Sequence, residues 1–279
     1  MSLAVKLLKL GNRRPWRPVL QIFIFLVYKL KGRRIQQVKY HERFRGWEFL
    51  IAGKSYLSTG PGWAYDYNYL LEQLKNLSGY EYIPNIGDVV IDVGAGLGEE
   101  TTIFSDLVGD SGKVFAVEAH PITYEGLRYM IEKNSLSNVI AQNVAFADKN
   151  GTMEIEDSDN SLANSIVTAT SLKLFKIPSI TFDEFLVQHH IDRVSFVKMN
   201  VEGAEQLIIH GMVNSLNKIK HIAISCHDFR ADNGESEFFR TKRIVIDFLT
   251  KNNFRISTRE SQVNMIDDYV YAVNSRLDE

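Results

Sequence analysis

The sequence predicts a doubly wound α/β fold with a mostly parallel sheet. Two observations carry this prediction. Short runs that are almost continuously apolar alternate with amphipathic segments from residue 65 onward, and strands that are buried on both faces have that composition. A glycine-rich stretch, Gly94–Gly98, directly follows the first of these runs, at the position where such folds bind their ligands. Helices are therefore expected on both faces of the sheet.

The individual elements follow from the periodicity of apolar residues. A helix is predicted where one face is apolar, as in residues 65–77, in which Leu70 and Leu74 share a face. The further predicted helices are 99–108, 123–134, 182–190, 204–212 and 241–252. The predicted strands are 88–93, 113–119, 139–146, 193–201, 221–227, 254–258 and 268–274. Residues 151–168 are polar, have no helical period, and are predicted to form a hairpin or a flap.

Composition is that of a soluble globular protein. The chain has 279 residues, of which 45% are hydrophobic and 24% are charged, and this length accommodates one large domain with an accessory segment. The single cysteine, Cys226, excludes an intrachain disulfide and the usual zinc spacings. A reducing, cytoplasmic location is therefore predicted.

Charge divides the chain into two parts. Residues 1–45 contain twelve Lys and Arg and one acid, Glu42, whereas residues 46–279 contain twenty Lys and Arg and thirty-three acids. We therefore predict a basic segment at 1–45 and a domain at 46–279. The basic segment includes Val19–Tyr28, an apolar run about half as long as the roughly 20 residues that span a bilayer. This run predicts either a helix at the inner face of an anionic membrane or a helix packed on the domain.

The glycine-rich stretch favours a ligand that carries positive charge. Asp92 ends the first strand, and Gly94, Gly96 and Gly98 follow it, so that the backbone can approach a ligand closely. A dinucleotide loop requires G-x-G-x-x-G, but Glu99 stands at the third glycine position. A carboxylate at the strand end repels a diphosphate, whereas it suits S-adenosylmethionine, which carries an ammonium and a sulfonium group and has no phosphate.

A second carboxylate supports the same ligand. Glu118 ends the second predicted strand, twenty-six residues after Asp92, and a carboxylate there can accept hydrogen bonds from both hydroxyls of a ribose. Either carboxylate alone could cap a strand end. Together, with the glycines between them, they predict a cofactor site.

From about Tyr80 onward, the sequence resembles the FkbM-type methyltransferases, a class I group that depends on S-adenosylmethionine. The matching segments are "GYEYIPNIGDVVIDVGAGLGEET", "VEAHPITYEGLRYMIEKNSLSNV", "NVAFADKNGT", "ITFDEFL" and "VSFVKMNVEGAE". The first motif occurs in many methyltransferases, whereas "VEGAE" after the fourth strand makes the resemblance specific. The resemblance implies a Rossmann-like, mostly parallel seven-stranded sheet, preceded by a helical extension in the basic segment.

Two positions depart from the pattern of this family. Gly96 stands where the family usually has Asn, and Asn200 stands where it usually has Asp. The second change removes a negative charge close to where methyl acceptors bind in the family. Asn200 is therefore expected to affect how the methyl acceptor is bound or activated, and not how the cofactor is bound.

The resemblance also implies a set of cofactor-binding positions, which are Glu81, Asp92, Gly94, Gly96, Thr101, Glu118 and Asn143. The glycines would face the methionine part of the cofactor, Asp92 would order its amino group, and Thr101 would donate to its carboxylate. Glu118 would bind the ribose, Asn143 or its neighbours would border the adenine, and Glu81 would help to close the site.

Methyl transfer from an activated sulfonium depends mainly on the alignment of the acceptor. An alcohol acceptor also requires a base, for which the candidates are His227, Glu202 and Asp228. His227 is favoured because its ordinary pKa is suitable and it ends a predicted strand at the ligand-binding edge; activity should then rise with pH through the histidine range. Asn200 is expected on the acceptor side. Asn200, Glu202 and Asp228 form no recognised metal spacing, so no metal site is predicted.

Three functions remain open from the sequence. The favoured one is O-methylation of a hydroxyl on a sugar, a glycolipid or another small metabolite, as the resemblance implies. A nucleic-acid methyltransferase would use the basic segment to bind phosphates, but the domain is acidic, and "NVEG" stands where amino-methylating enzymes carry an aromatic-proline motif. The third is a membrane-docked binding module without turnover, for which Asn200 is the only supporting feature.

Overall fold

A computed structural model describes residues 14–61, 65–157 and 174–277. Its strands are β1 (Ile35–His41), β2 (Gly46–Ile51), β3 (Lys54–Ser58), β4 (Val89–Val93), β5 (Lys113–Val117), β6 (Val139–Gln142), β7 (Ala145–Phe146), β8 (Gly151–Glu156), β9 (Leu174–Ile180), β10 (Val194–Asn200), β11 (Ile219–Ser225), β12 (Phe254–Thr258) and β13 (Tyr269–Asn274). Its α-helices are α1 (Arg17–Leu30), α2 (Tyr67–Asn76), α3 (Glu99–Val108), α4 (Pro121–Lys133), α5 (Phe182–Gln188), α6 (Glu205–His210), α7 (Asp228–Asp232), α8 (Lys242–Lys251) and α9 (Asn264–Asp267).

The main sheet confirms the predicted fold class. Its seven strands have the order β12-β13-β11-β10-β4-β5-β6. The pairs β11–β10, β10–β4, β4–β5 and β5–β6 are parallel, and β13 pairs antiparallel with both β11 and β12. The chain runs from β4 outward to β6 and then returns to β10 on the other side of β4. This reversal opens a crevice at the carboxyl ends of the central strands.

Burial on both faces explains why the central strands are nearly continuous apolar runs. Successive side chains of a strand point to opposite faces. In β4, Ile91 packs in a cluster with Phe185 of α5 and Leu249 of α8. Its neighbour Val90 packs on the other face in a cluster with Phe104 of α3 and Trp47 of β2. Each face of the sheet therefore has its own hydrophobic core.

Two smaller sheets lie beside the main one. Strands β1, β2 and β3 form an antiparallel sheet for which no strand was predicted. Strands β7, β9 and β8 form the other, so the strand predicted at 139–146 divides into β6, which joins the main sheet, and β7, which does not. Strand β8 occupies the start of the predicted hairpin or flap at 151–168, and residues 158–168 lie outside the described residues.

The apolar run Val19–Tyr28 lies within helix α1. Leu20 and Ile24 are buried in the same cluster as Trp47, so one face of α1 packs on the β1–β3 sheet. Among the residues that the model describes, no helix has the length and apolar character needed to cross a bilayer. The predicted division between residues 45 and 46 stays a prediction, and it passes through the hairpin in which His41 of β1 pairs with Gly46 of β2.

Candidate active site

A cleft of about 290 Å³ opens at the carboxyl ends of β4, β5 and β10. The polar groups of interest in its wall come from the loop after β4, the end of β5 and the end of β10. They belong to Gly94, Gly96, Glu118, Asn200 and Glu202. The sequence-predicted site residues that line the cleft are these five.

Glycine is required after β4 because the loop passes very close to β10. Gly94 has φ of +73°, and a Cβ placed on it would lie 2.0 Å from the carbonyl oxygen of Asn200. Gly96 also has positive φ, +58°, but no heavy atom lies within 4 Å of the corresponding Cβ position. The loop therefore presents open backbone at Gly96 and close packing at Gly94.

Two backbone groups hold the carboxylate of Glu118. Gly96 N donates to Oε2 at 2.9 Å, and His120 N donates to Oε1 at 2.8 Å. Burial raises the pKa of Glu118 to about 7, against the opposing effect of these two hydrogen bonds. Since a carboxylate has about four lone-pair directions, Glu118 retains acceptor capacity toward the cleft.

Contrary to the expectation from the sequence, Asp92 and Thr101 do not face the cleft. Both are fully buried, and Thr101 Oγ1 donates to Asp92 Oδ2 at 2.6 Å. Lys198 Nζ donates to Asp92 Oδ1 at 2.9 Å and to the Gly94 carbonyl at 3.0 Å. Asp92 therefore neutralises a buried lysine, and this lysine in turn holds the glycine loop.

Lys198 was missed in the sequence, although a signal was present. It is a charged residue inside the near-continuous apolar strand 193–201, and charged residues are buried in such strands only when paired. It lies in register with Asp92 on the neighbouring strand and also pairs with Glu100 at 3.1 Å. Burial acts to lower the pKa of Lys198, but Asp92 and Glu100 outweigh it and raise the pKa.

Two further predicted cofactor residues lie elsewhere. Glu81 accepts a hydrogen bond from Ser257 Oγ at 2.7 Å, and Ser257 belongs to β12 at the far edge of the sheet. Asn143 does not line the cleft, because its Nδ2 donates to the carbonyls of Glu118 and Ala119, each at 2.9 Å. Asn143 thus braces the turn after β5, and its neighbours Val144 to Phe146 form the cleft wall instead.

The acceptor side of the cleft is organised by ion pairs around Glu202. This residue has φ of +53°, a conformation that is uncommon for residues other than glycine. Arg230 Nη1 donates to Glu202 Oε2 at 2.7 Å, and His227 Nε2 lies 3.3 Å from Glu202 Oε1. The other ring nitrogen of His227, Nδ1, lies 2.9 Å from Oε1 of the fully buried Glu205.

These pairs determine the protonation of His227. Burial acts to lower the pKa of His227, but its hydrogen bonds to Glu202 and Glu205 outweigh that effect and raise the pKa to about 10. Burial likewise acts to raise the pKa of Glu202, but His227 and Arg230 lower it overall. At neutral pH, His227 is an imidazolium and Glu202 a carboxylate. The imidazolium has no lone pair to accept a proton, which opposes its predicted role as a base.

Asp228, the remaining candidate base, caps a helix. Its Oδ1 accepts from the backbone N–H groups of Thr241 and Lys242 at 2.8 and 2.9 Å, at the start of α8. It does not line the cleft. Across the described ranges, no three His, Cys, Asp or Glu side chains are grouped so as to hold a metal ion.

The β1–β2 turn contributes to the cofactor side, and no sequence signal indicated this contact. Arg45 forms a two-pronged ion pair with Asp157, with N–O distances of 2.7 and 3.2 Å. Asp157 Oδ1 also lies 3.6 Å from His120 Nε2, and His120 N is one of the two donors to Glu118. The N-terminal sheet is thereby connected to the residues that hold Glu118.

The fold, with a glycine loop after β4 and Glu118 at the end of β5, is that of a class I methyltransferase, and S-adenosylmethionine is the cofactor of that class. The particular family is given by residues 92–256, which match the family described as "Methyltransferase FkbM domain". This match covers more than half of the chain, and the chain belongs to that family. S-adenosylmethionine is accordingly its cofactor.

Similar proteins include both a sequence relative and solved structures. The hexuronic acid methyltransferase AglP of Haloferax volcanii is 26% identical over 140 residues, which are 50% of this chain and 56% of that protein. The chain therefore spans little more than half the length of this relative. A methyltransferase FkbM structure from Methylobacillus flagellatus has 16% identity and a TM-score of 0.48, covering 70% of this chain and 45% of that one. Aeropyrum pernix fibrillarin, solved with S-adenosyl-L-methionine, has 17% identity and a TM-score of 0.45, covering 86% and 99%.

Proposed function

We propose that this protein transfers a methyl group from S-adenosylmethionine to a hydroxyl of a sugar or another small, glycan-like acceptor. The observation that carries the proposal is a single cleft with an ionised, cation-paired Glu202 on one wall and the backbone-held Glu118 on the other. The hexuronic acid named in the relative from Haloferax volcanii supports a sugar acceptor.

The residues present fit the cofactor. Gly96 leaves open space where a side chain would otherwise stand, and Glu118 retains acceptor capacity for ribose hydroxyls. The wall beyond Glu118 is apolar at Val144, Phe146 and Ile155, which suits a purine ring. In this proposal Gly94, Gly96 and Glu118 hold the cofactor, while Asp92, Thr101, Lys198 and Asn143 fix the loops around it.

When bound, S-adenosylmethionine supplies an already activated methyl group. The protein has to align the acceptor hydroxyl and remove its proton. We assign proton acceptance to Glu202, which lines the cleft and is ionised at neutral pH. A weakly basic carboxylate is sufficient for this step, because a hydroxyl becomes strongly acidic as its oxygen bonds to a methyl carbon.

The two cations beside Glu202, His227 and Arg230, affect the reaction by positioning the carboxylate of Glu202. His227 and Arg230 each bind one of its oxygens, so they hold the carboxylate in one orientation. Asn200, at the end of β10, offers an amide to the acceptor where the family pattern has a carboxylate. Glu205 stabilises the positive charge of His227 from the side away from the cleft.

The direct test is methyl transfer from labelled S-adenosylmethionine to a panel of hexuronic acids, neutral sugars and their glycosides. We expect label in an alkali-stable methyl ether on uronic acid or sugar acceptors. Transfer to an amine, to RNA or to a protein side chain, with no sugar labelled, would contradict the proposal. Glu202→Gln serves as the matched inactive control, since it preserves the size of the side chain but removes its negative charge and one acceptor oxygen.

A further inference from the structure

The outer face of α1 exposes a continuous apolar stripe. Its members are large hydrophobic side chains that are at least half exposed, namely Trp16 (56%), Val19 (60%), Ile22 (63%), Phe23 (57%), Leu26 (52%) and Leu30 (87%). Apart from the adjacent pair Ile22 and Phe23, they are spaced three or four residues apart, which places them on one side of the helix and of the residue before it, Trp16. The opposite side is buried at Leu20 and Ile24. Packing of α1 on the domain therefore leaves these side chains of its outer face in water.

Positive charge flanks this stripe in the sequence and at the C-terminal end of α1. Residues 1–41 contain ten Lys and Arg and no Asp or Glu. At the C-terminal end of α1, Lys29, Lys31 and Arg34 are exposed, and the ammonium groups of the two lysines lie 5.7 and 5.9 Å from the ring centroids of Phe25 and Tyr28. These cations lie at the C-terminal end of α1, next in the chain to Leu30, the last residue of the stripe.

The dimensions and the charge together fit one kind of partner. Fourteen residues of helix extend about 21 Å, which is too short to cross a hydrocarbon core of about 30 Å. A helix with an apolar stripe, a tryptophan at one end and flanking lysines is suited to lie in a lipid interface. The body of the chain, residues 46–279, has a net charge of −13, so an anionic surface attracts the basic segment and not the body as a whole.

We propose that the outer face of α1 docks the protein on an anionic lipid bilayer, with the stripe among the acyl chains and the lysines and arginines at the head groups. The inner face of the same helix stays packed on the β1–β3 sheet. Docking is therefore a rigid-body event that requires no unfolding of α1. The proposal is independent of the methyl acceptor, because none of the stripe residues lines the cleft.

The test is flotation of the full chain with two kinds of vesicle, one of phosphatidylcholine with phosphatidylserine and one of phosphatidylcholine alone. We expect binding to the anionic vesicles that weakens as sodium chloride is raised. The variant Ile22→Ser/Phe23→Ser/Leu26→Ser should bind at least about ten-fold more weakly. Lys29→Gln/Lys31→Gln should lose about ten-fold or more on anionic vesicles only.

A matched control removes exposed apolar side chains elsewhere. Val187 (63% exposed) and Met265 (64% exposed) lie outside α1, and Val187→Ser/Met265→Ser should float like the wild type. S-adenosylhomocysteine affinity and thermal unfolding should be unchanged in every variant, which verifies folding. Equal flotation of the stripe variant and the wild type, or no flotation of the wild type, would overturn the proposal. So would a wild-type dimer that the stripe variant converts to a monomer without any vesicle binding, since the stripe would then belong to a second copy.

Discussion

The two carboxylates of the cleft, Glu118 and Glu202, are stabilised in opposite ways. Glu118 is held by two uncharged backbone N–H groups, and burial raises its pKa to about 7. Glu202 is held by the cations of His227 and Arg230, which lower its pKa despite burial. One fold therefore provides, across a single cleft, one carboxylate that is easily protonated and another that stays ionised.

The difference in pKa between Glu118 and Glu202 indicates different roles for the two carboxylates. A carboxylate that titrates near neutrality and faces neutral hydrogen-bond donors is suited to bind hydroxyls. A carboxylate that is ionised at every physiological pH, and is fixed by two cations, is suited to accept a proton at a set position. The same contrast explains why His227 is a positioning residue in our proposal rather than the base.

The largest expected effect is on turnover. Glu202→Gln should lower kcat by about 10²–10⁴-fold, because the amide cannot accept the acceptor's proton, while the affinity for S-adenosylhomocysteine stays within about two-fold. Single-turnover assays and calorimetry measure the two quantities separately. Glu235→Gln is the matched control, because Glu235 also binds Arg230, with a distance of 2.6 Å, yet does not line the cleft; its kcat should be that of the wild type. Near-normal turnover in Glu202→Gln, together with loss of activity in His227→Gln, would restore the histidine as the base.

The next effect is on cofactor affinity. Glu118→Gln should weaken S-adenosylhomocysteine binding by about 1.5–3 kcal/mol, or roughly ten- to 150-fold, because charge-assisted hydrogen bonds to the ribose are lost. Calorimetry of the purified protein gives this value directly. Glu132→Gln, on the outer side of α4 with 68% of its side chain exposed, should bind the ligand like the wild type. An unchanged affinity in Glu118→Gln would remove the ribose from that wall of the cleft.

A third effect separates the two carboxylates by pH. The ribose hydroxyls donate to the ionised form of Glu118, so the cofactor affinity should be highest above about pH 7 and should fall by up to about ten-fold per pH unit below it. This slope should be absent in Glu118→Gln. At saturating cofactor, kcat should show no step near pH 6.5, since the pKa of His227 is about 10 and that of Glu202 lies below its ordinary value. A rise of kcat through pH 6.5 would instead indicate a titrating histidine, as the sequence alone had predicted.

The smallest expected effect is on the free energy of unfolding. It tests whether the ion pair between Arg45 of the β1–β2 turn and Asp157 stabilises the protein. Arg45→Ala should lower the free energy of unfolding by about 1–2 kcal/mol, because Asp157, with 2% of its side chain exposed, loses a charged hydrogen-bonding partner. Arg43→Ala is the control, since the pair of Arg43 with Glu125 is largely exposed and such pairs contribute about 0–1 kcal/mol. Chemical denaturation followed by fluorescence measures both. Equal free energies of unfolding for the two variants would show that the Arg45–Asp157 pair does not stabilise the protein more than an exposed ion pair does.

The cofactor side was partly predictable because its signals are local in the chain. Gly94, Gly96 and Glu118 lie at the ends of two consecutive strands, and those strands pair directly, so spacing alone placed them together. Asp92 and Thr101 belong to the same motif and contact each other, but Asp92 also binds Lys198, which comes from a strand about a hundred residues later. The pairing register of β10 with β4 places Lys198 beside Asp92, so Asp92 binds a buried lysine.

The sequence by itself determined the alternation of apolar strands and helices, hence the fold, and the glycine loop with its acidic strand ends, hence the cofactor. Only the tertiary structure decided which carboxylates are paired. Glu202 and Glu205 follow β10 and His227 follows β11, two strands that pair in parallel, and the distances between these side chains fix the charge of the histidine. The tertiary structure also decided which apolar side chains of α1 are buried, since Leu20 and Ile24 pack in the same cluster as Trp47 of β2 while Ile22 and Phe23 stay exposed.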